Sequence, residues 1–276
     1  MIRAWLPDFP AYATLWDKLG WWALRLACVS VLAFLLVPIL VIVPLSFADS
    51  SFLSYPIPGW SLRWYQNLFT SDDWTRAARN SFIVAPLATV IATVLGTLAA
   101  VGLSRADFPF KGALMSVLIA PMVVPIVVVG VATYLFFAPL GLVDSYAGLI
   151  IVHAALGAPF VLTTVLATLQ GFNHNLVRAS LSLGANPVVT FFRVTLPVIA
   201  PGVISGALFA FATSFDEVVV TLFLAGPEQV TLPRQMFTGI RENITPTIAA
   251  VATLLILFTT SLLLALEWLR GRRERR

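Results

Sequence analysis

The sequence predicts an all-α polytopic membrane protein with six transmembrane helices, and three observations carry that reading. Hydrophobic residues fill 59% of the 276 positions, whereas Asp, Glu, Lys and Arg together fill 11%. A soluble domain carries about a quarter charged residues, so this chain has too few to cover a water-exposed surface. Six apolar stretches follow one another at residues 22–47, 81–103, 112–137, 147–169, 201–224 and 247–269. Each meets the ~20 residues that an α-helix needs to cross the hydrocarbon layer. No internal repeat, low-complexity tract or soluble-domain-sized segment interrupts them, so residues 1–276 read as a single transmembrane domain.

Taken in order, residues 1–21 form a short N-terminal segment ahead of the first span, expected in the cytoplasm. The stretch 22–47 is too long, and lacks a convincing cleavage site, for a secretory signal, so it reads as a retained span. The link 48–79 is rich in aromatic residues, with Trp60, Trp64, Tyr65 and Trp74 suited to an interfacial belt. The links at 105–112 and 139–145 are short turns. The link 226–245 holds Pro227, Glu228, Arg234, Arg241 and Glu242, a polar cap suited to face a partner. A basic tail, 270–276, closes the chain and anchors the last helix.

Lys and Arg orient the bundle. With the N-terminus inside, twelve of the seventeen fall on the cytoplasmic side (Arg3, Lys18, Arg25, Arg105, Lys111, Arg178, Arg193, Arg270, Arg272, Arg273, Arg275 and Arg276). The other five (Arg63, Arg76, Arg79, Arg234 and Arg241) fall outside. Positive residues are retained on the cytoplasmic side, so both termini and the link 171–200 are expected there.

That link is built as an elbow. Asn175 is positioned to cap a short helix through Leu176, Ala179, Ser180 and Leu183, and Gly184 stands past its end, where a left-handed turn needs no Cβ. Asn186-Pro187 restarts a helix as cap and first residue, Pro197 ends or kinks it, and Pro201 opens the next span. The elbow carries Arg178 and Arg193 and no acid. An ordinary interfacial loop fits these features equally well.

Several chemistries are excluded. Lys18 and Lys111, the two lysines, are followed by Leu19 and Gly112, so no phosphate-binding GxxxxGK[ST] loop exists. His153 and His174 stand outside any zinc spacing, and Gly202 through Gly206 lacks the spacing of a serine nucleophile elbow. The single Cys28 precludes an intrachain disulfide, and a net charge of +4 placed at span ends does not point to nucleic acid. The exception to this apolar monotony is Ser214-Phe215-Asp216-Glu217. A charged group deep in a span costs about 2.5–3.5 kcal/mol on insertion scales, so Asp216 and Glu217 are expected to face a cavity or a partner. Ser214 and Glu217 also have capping-box spacing, which would serve the N-terminus of a half-helix. The two readings are compatible, because transporters place broken helices at binding sites.

Arg178-Ala179-Ser180, three residues, Gly184, nine residues, then Val194-Thr195-Leu196-Pro197 resembles the EAA motif of ABC-importer permease subunits. The resemblance implies the type I permease fold. It makes the elbow a coupling helix seated in a cytoplasmic ATPase, with Arg178, Ala179, Ser180, Gly184, Ala185, Leu196 and Pro197 at the contact. Arg178 replaces the family's usual Glu and Ser180 its usual Ala. The run Ser214 to Thr221, with Gly226-Pro227 and Thr231-Leu232-Pro233, is similar to the permeases of spermidine/putrescine-type importers. That similarity implies a substrate path at Ser214, Phe215, Asp216 and Glu217 for a small cationic solute. It also implies a bacterial inner-membrane location, a sister permease (a heterodimer is expected), a periplasmic binding protein and surrounding lipid. No cofactor is expected in this chain, since ATP and Mg would sit in the ATPase. No acid follows Pro125, where this group often has one, so a diamine, an amino acid derivative or an opine stays open as solute. A non-transporting scaffold and an ion-driven secondary transporter are the readings outside this class.

Overall fold

The computed structural model describes residues 9, 12, 14–105, 107–242 and 244–274. Parts of the expected segment 1–21 (residues 1–8, 10, 11 and 13) and of the tail (275 and 276) lie outside the described residues, as does Ala106 in the link 105–112. The chain divides into two compact units, residues 1–68 with 244–276, and residues 69–243.

The first unit holds α1 (Leu15–Leu45) and α12 (Pro246–Glu274), which pack on each other. Helix α1 starts seven residues earlier than the apolar stretch suggested, because Thr14 and Asp17 form a reciprocal capping box. Its apolar side chains are exposed along their length, which suits a lipid-facing helix and no aqueous one. Beyond α1 the chain folds back on itself. The Trp64 indole donates to the Ala48 carbonyl at 2.8 Å, and Ser46 Oγ meets the Tyr65 hydroxyl at 2.7 Å. Thr247 at the start of α12 donates to Asn67 Oδ1 at 3.1 Å. Helix α2 (Arg63–Thr70) contains the sequence boundary with the second unit.

The second unit is built on three helices: α3 (Asp72–Arg105), α6 (Tyr146–Gln170) and α9 (Leu196–Phe215). Their interface is made of small residues, and Val161 on α6 shows why. It is completely buried between Gly96 of α3 and Gly206 of α9. A Cβ on Gly96 would lie 2.7 Å from Val161 Cβ, and one on Gly206 would lie 2.7 Å from Val161 Cα. In lipid, helices associate through such close backbone approach, since burial of apolar surface adds little there. Thr163, Thr164 and Thr168 line the same helix without penalty because each hydroxyl donates to a carbonyl of its own preceding turn. Trp74, expected in an interfacial belt, is instead buried in this unit.

Two of the expected spans are broken. The stretch 112–137 bends by 105° between α4 (Lys111–Val123) and α5 (Ile126–Phe137), because Pro125 cannot donate back and forces Val124 into an extended conformation. The stretch 201–224 is neither bounded nor continuous as expected. Its helix begins at α8 (Pro187–Thr190), runs through a π-turn at Phe191–Thr195 into α9, and stops at Asp216. Leu196 N–H reaches back to the Phe191 carbonyl, and this widened turn relieves the clash Pro197 would otherwise cause. Pro197 and Pro201 are therefore inside one long helix rather than at its boundaries. After the break, α10 (Val219–Leu224) packs against α5, with Gly130 under the Phe223 ring. Among the described residues, four helices are long and apolar enough to cross a membrane, or five if the bent pair counts as one span. The sixth expected span, 247–269, falls in α12, whose apolar described part is Pro246–Ser261.

Gly206→Leu is expected to lower stability by about 1–3 kcal/mol, as overpacked interiors do. Gly102→Ala, in the same bundle but with open space around the added Cβ, is expected to gain about 0.5–1 kcal/mol. Thermal unfolding of both variants in detergent measures the difference, and equal midpoints would contradict the packing described.

Candidate functional site

Two places in the second unit depart from regular helix and carry the polar residues picked out by sequence, and a third, the polar cap expected at 226–245, is fastened by a residue outside that link. The first is the elbow at the Gln170 end of α6. Helix α7 (Asn175–Ser182) is preceded by Asn173, whose Oδ1 accepts from Asn175 N–H at 3.0 Å. Asn175 is thus already helical and is not the cap; His174, which precedes it, makes no side-chain cap bond, and Asn173 supplies the side-chain acceptor at this end. At the other end Gly184 adopts φ +85°, Ala185 N–H donates to the Ser180 carbonyl and Gly184 N–H to that of Leu181. This is the Schellman arrangement, and it satisfies carbonyls that the helix end leaves open. Asn186 Oδ1 then caps α8 by accepting from Val189 N–H at 2.8 Å, with Pro187 as first residue.

The two arms are tied by side chains. Ser180 Oγ lies 3.0 Å from Thr190 Oγ1 across the turn. An alanine at position 180 would leave the Thr190 hydroxyl, which is buried, without this partner. Val177 and Leu196 pack onto the core formed by α3, α6 and α9, so the elbow is seated on the bundle. Arg178, Ala179, Gly184 and Pro197 are exposed, and Ala185 is half-buried. Among the described residues neither Arg178 nor Arg193 pairs with an acid. Leu183, at the tip, is 89% exposed, and Val188 and Phe192 are exposed beside it.

The second place is the break between α9 and α10. Asp216 ends α9, its N–H still bonded to Ala212. Its side chain is exposed, and Glu217 is half-buried. Glu217 Oε1 accepts from Val220 N–H at 2.8 Å and so caps α10 by itself. Ser214 is not its capping partner. Ser214 is buried in the last turn of α9, with Oγ 2.8 Å from His153 Nδ1 on α6. His153 Nε2 is in turn 3.3 Å from Thr221 Oγ1 on α10, and Thr221 donates to the Glu217 carbonyl. Phe215 is buried, stacked on Phe211 and edge-on to Phe82. Of the four residues expected here, then, Asp216 and Glu217 are accessible, while Ser214 and Phe215 form the wall behind them. No Lys or Arg among the described residues pairs with either acid.

His153 and Asn80 do work that the sequence reading does not assign them. An ionisable residue inside an apolar span, as His153 is, is itself a signal. Asn80, fully buried on α3, organises the third place. Its Nδ2 donates to the carbonyls of Glu228 and Val230, each at 2.8 Å, and its Oδ1 accepts from the Tyr146 hydroxyl at 2.7 Å. Ser81 Oγ accepts from Leu232 N–H at the start of α11 (Leu232–Glu242), and Arg76 pairs with Glu228 at 3.3 Å. Arg234 donates to the Ala225 carbonyl. Burial pulls the Arg234 guanidinium below its ordinary pKa, and the nearby Asp144 carboxylate opposes that shift. This cap stands at the Tyr146 end of α6, roughly 37 Å along the helix from the elbow. Among the described residues no group of three or more His, Cys, Asp or Glu side chains is placed to hold a metal.

The class of protein that such a bundle belongs to follows from its sequence relatives. The chain belongs to the family of binding-protein-dependent transport system inner membrane components, which matches residues 92–276. It is therefore a non-catalytic, multi-pass membrane subunit whose ATPase is a separate chain. It is 33% identical over 233 residues to the spermidine/putrescine transport system permease protein PotC of Haemophilus influenzae, covering 84% of this chain and 90% of that one. It is 35% identical over 230 residues to the putrescine transport system permease protein PotI of Escherichia coli, covering 81% and 82%. The molybdenum transport system permease protein ModB of Mycobacterium bovis is 30% identical over 242 residues, covering 80% and 90%. The fold is shared with a chain of a bacterial ABC transporter involved in the import of the acidic polysaccharide alginate, at a TM-score of 0.73 and 13% identity, covering 95% of this chain and 99% of that chain.

Two outcomes test this geometry. Gly184→Val is expected to cost about 1–2 kcal/mol at the elbow, since a left-handed residue with a Cβ is strained, and Gly184→Asn less. Limited proteolysis at 183–186 reads the difference, and equal resistance of the two variants would contradict the turn. Asn80→Ala strands two carbonyls and a phenol, and is expected to cost about 2–3 kcal/mol and to open 226–231 to protease. An unchanged cleavage pattern there would count against Asn80 as the organiser of the cap.

Proposed function

We propose that this chain is one of two membrane-spanning subunits of an ATP-driven importer for a small polyamine. The observation that carries the substrate is Asp216, an exposed carboxylate at a helix break in the membrane, unpaired with any described cation. Such a group is costly in lipid and is retained where a cationic ligand or a water-filled path meets it. The names of PotC and PotI support the same class of solute. The stretch 112–137 has no acid, which favours a solute of few charges, a diamine such as putrescine over spermidine. ModB shows that related permeases serve solutes of other chemistry, so the acids are what separates this reading from its alternatives.

In the proposed assembly both termini and the elbow face the cytoplasm, in keeping with the distribution of Lys and Arg. Leu183, Val188 and Phe192 then form an apolar tip flanked by Arg178 and Arg193, a surface suited to a cleft in an ATPase subunit that binds ATP and Mg. A heterologous sister permease completes the pore within the lipid, and a periplasmic binding protein delivers the solute to the cap held by Asn80. ATP binding biases the bundle between inward-open and outward-open states, and the elbow is the element that receives the bias.

Asp216→Asn, expressed with its partners, is expected to lower uptake of radiolabelled putrescine about tenfold while the complex still purifies intact. Uptake equal to that of the unaltered assembly would remove Asp216 from the path.

A further inference from the structure

The polar pin behind the acids has a role that neither the elbow nor the acids explain. His153 is 1% exposed and bonded through both ring nitrogens to residues on opposite sides of the helix break: Ser214 before it and Thr221 after it. The hydrogen positions follow from the partners. Thr221 commits its one hydroxyl proton to the Glu217 carbonyl, so its oxygen accepts from His153 Nε2–H. Nδ1 is then the acceptor, and the Ser214 hydroxyl donates to it. A single neutral imidazole thus gives each of its ring nitrogens a partner, one on either bank. Thr221 also holds the Glu217 backbone, so the pin reaches the acidic loop itself.

The helix that carries the pin is α6, and the same helix carries the elbow. Seventeen residues, roughly 25 Å of helix, separate His153 from Gln170, where the elbow begins. That helix is packed along its length against α3 and α9, and it stays helical from Tyr146 to Gln170 although Pro159 within it supplies no N–H to the ladder. Among the described residues, His153 is the side chain of α6 that hydrogen-bonds both banks of the break.

We propose that His153 is a positioning residue that couples the elbow to the acidic break. A displacement of α6 imposed at the elbow is passed through the imidazole to Ser214 and Thr221 together, and so resets the exposure of Asp216. The inference rests on the proposed importer reading, in which the elbow receives the motion of an ATPase. His153 does not touch the solute on this account. The long helix that ends at Asp216 also starts in the elbow, and His153 decides whether the bank beyond the break, α10, moves with it and with α6.

The test uses the full assembly in proteoliposomes with Cys28 replaced by Ala and Asp216→Cys as the reporter. The rate of modification at position 216 by a small charged thiol reagent is compared between nucleotide-free and vanadate-trapped states. The unaltered pin is expected to give at least a fivefold change in rate between the two states. His153→Leu, similar in volume but without ring nitrogens, is expected to reduce that change to less than twofold while binding-protein-stimulated ATP hydrolysis continues. His153→Gln, which keeps a donor and an acceptor, is expected to recover part of it. If His153→Leu does not accumulate, Ser214→Ala with Thr221→Val removes the same bonds from the other side. A nucleotide-dependent change retained in full by these variants would overturn the role of His153. A reporter insensitive to nucleotide even with His153 in place would instead overturn the importer reading, and the inference with it.

Discussion

Hydrocarbon offers no partner to a peptide group, and that constraint governs every irregular feature of this chain. A backbone that leaves the helix inside a membrane must find its hydrogen bonds within the protein. The bend at Val124–Pro125 meets the demand by placing a residue without an N–H at the break. The break at Asp216 meets it with side chains: Glu217 caps the new helix, Thr221 takes the Glu217 carbonyl, and His153 backs both banks. Irregularity in such a setting is costly to maintain, and its presence beside two carboxylates is what the proposed solute path rests on.

The rest of the second unit is organised to let that irregularity persist. Glycines and threonines bring α3, α6 and α9 within backbone contact, and the hydroxyls are satisfied by their own helices. The resulting triad of helices is closely packed, and α6 touches both of the others, with the cap at one end and the elbow at the other. Close packing in the spans and open geometry at their ends and breaks is the division of labour a lever needs. The departure at position 180 fits this plan. Serine there bonds Thr190 and braces the two arms of the elbow, which an alanine would leave to the backbone turn alone.

What could be read from sequence followed from local chemistry. Gly184 and Asn186-Pro187 act within four residues of themselves, and both behave as their types require. The misreadings occur where a distant residue or a change of helical register decided the outcome. Ser214 and Glu217 have the spacing of a capping box, but an imidazole sixty-one residues away claimed the hydroxyl. Pro197 and Pro201 look like boundaries, but a π-turn absorbed the first and the helix ran through the second. Asn175 looks like a cap but lies inside the helix, and its N–H is taken by the side chain of Asn173. Trp74 has the amphipathic character of an interfacial residue, and only tertiary packing shows it buried.

The range of these fastenings also orders the birth of the molecule. Every bond described within the elbow joins residues at most ten apart, the longest being Ser180 to Thr190. The acidic break needs partners 61 and 68 positions away, and the cap on Asn80 needs partners 148 and 150 away. Contacts between distant positions require closing large loops and form slowly, while local ones do not. The knuckle can therefore close without waiting for the rest of the chain, whereas the seal at the far end cannot close until residues 228–232 have been made.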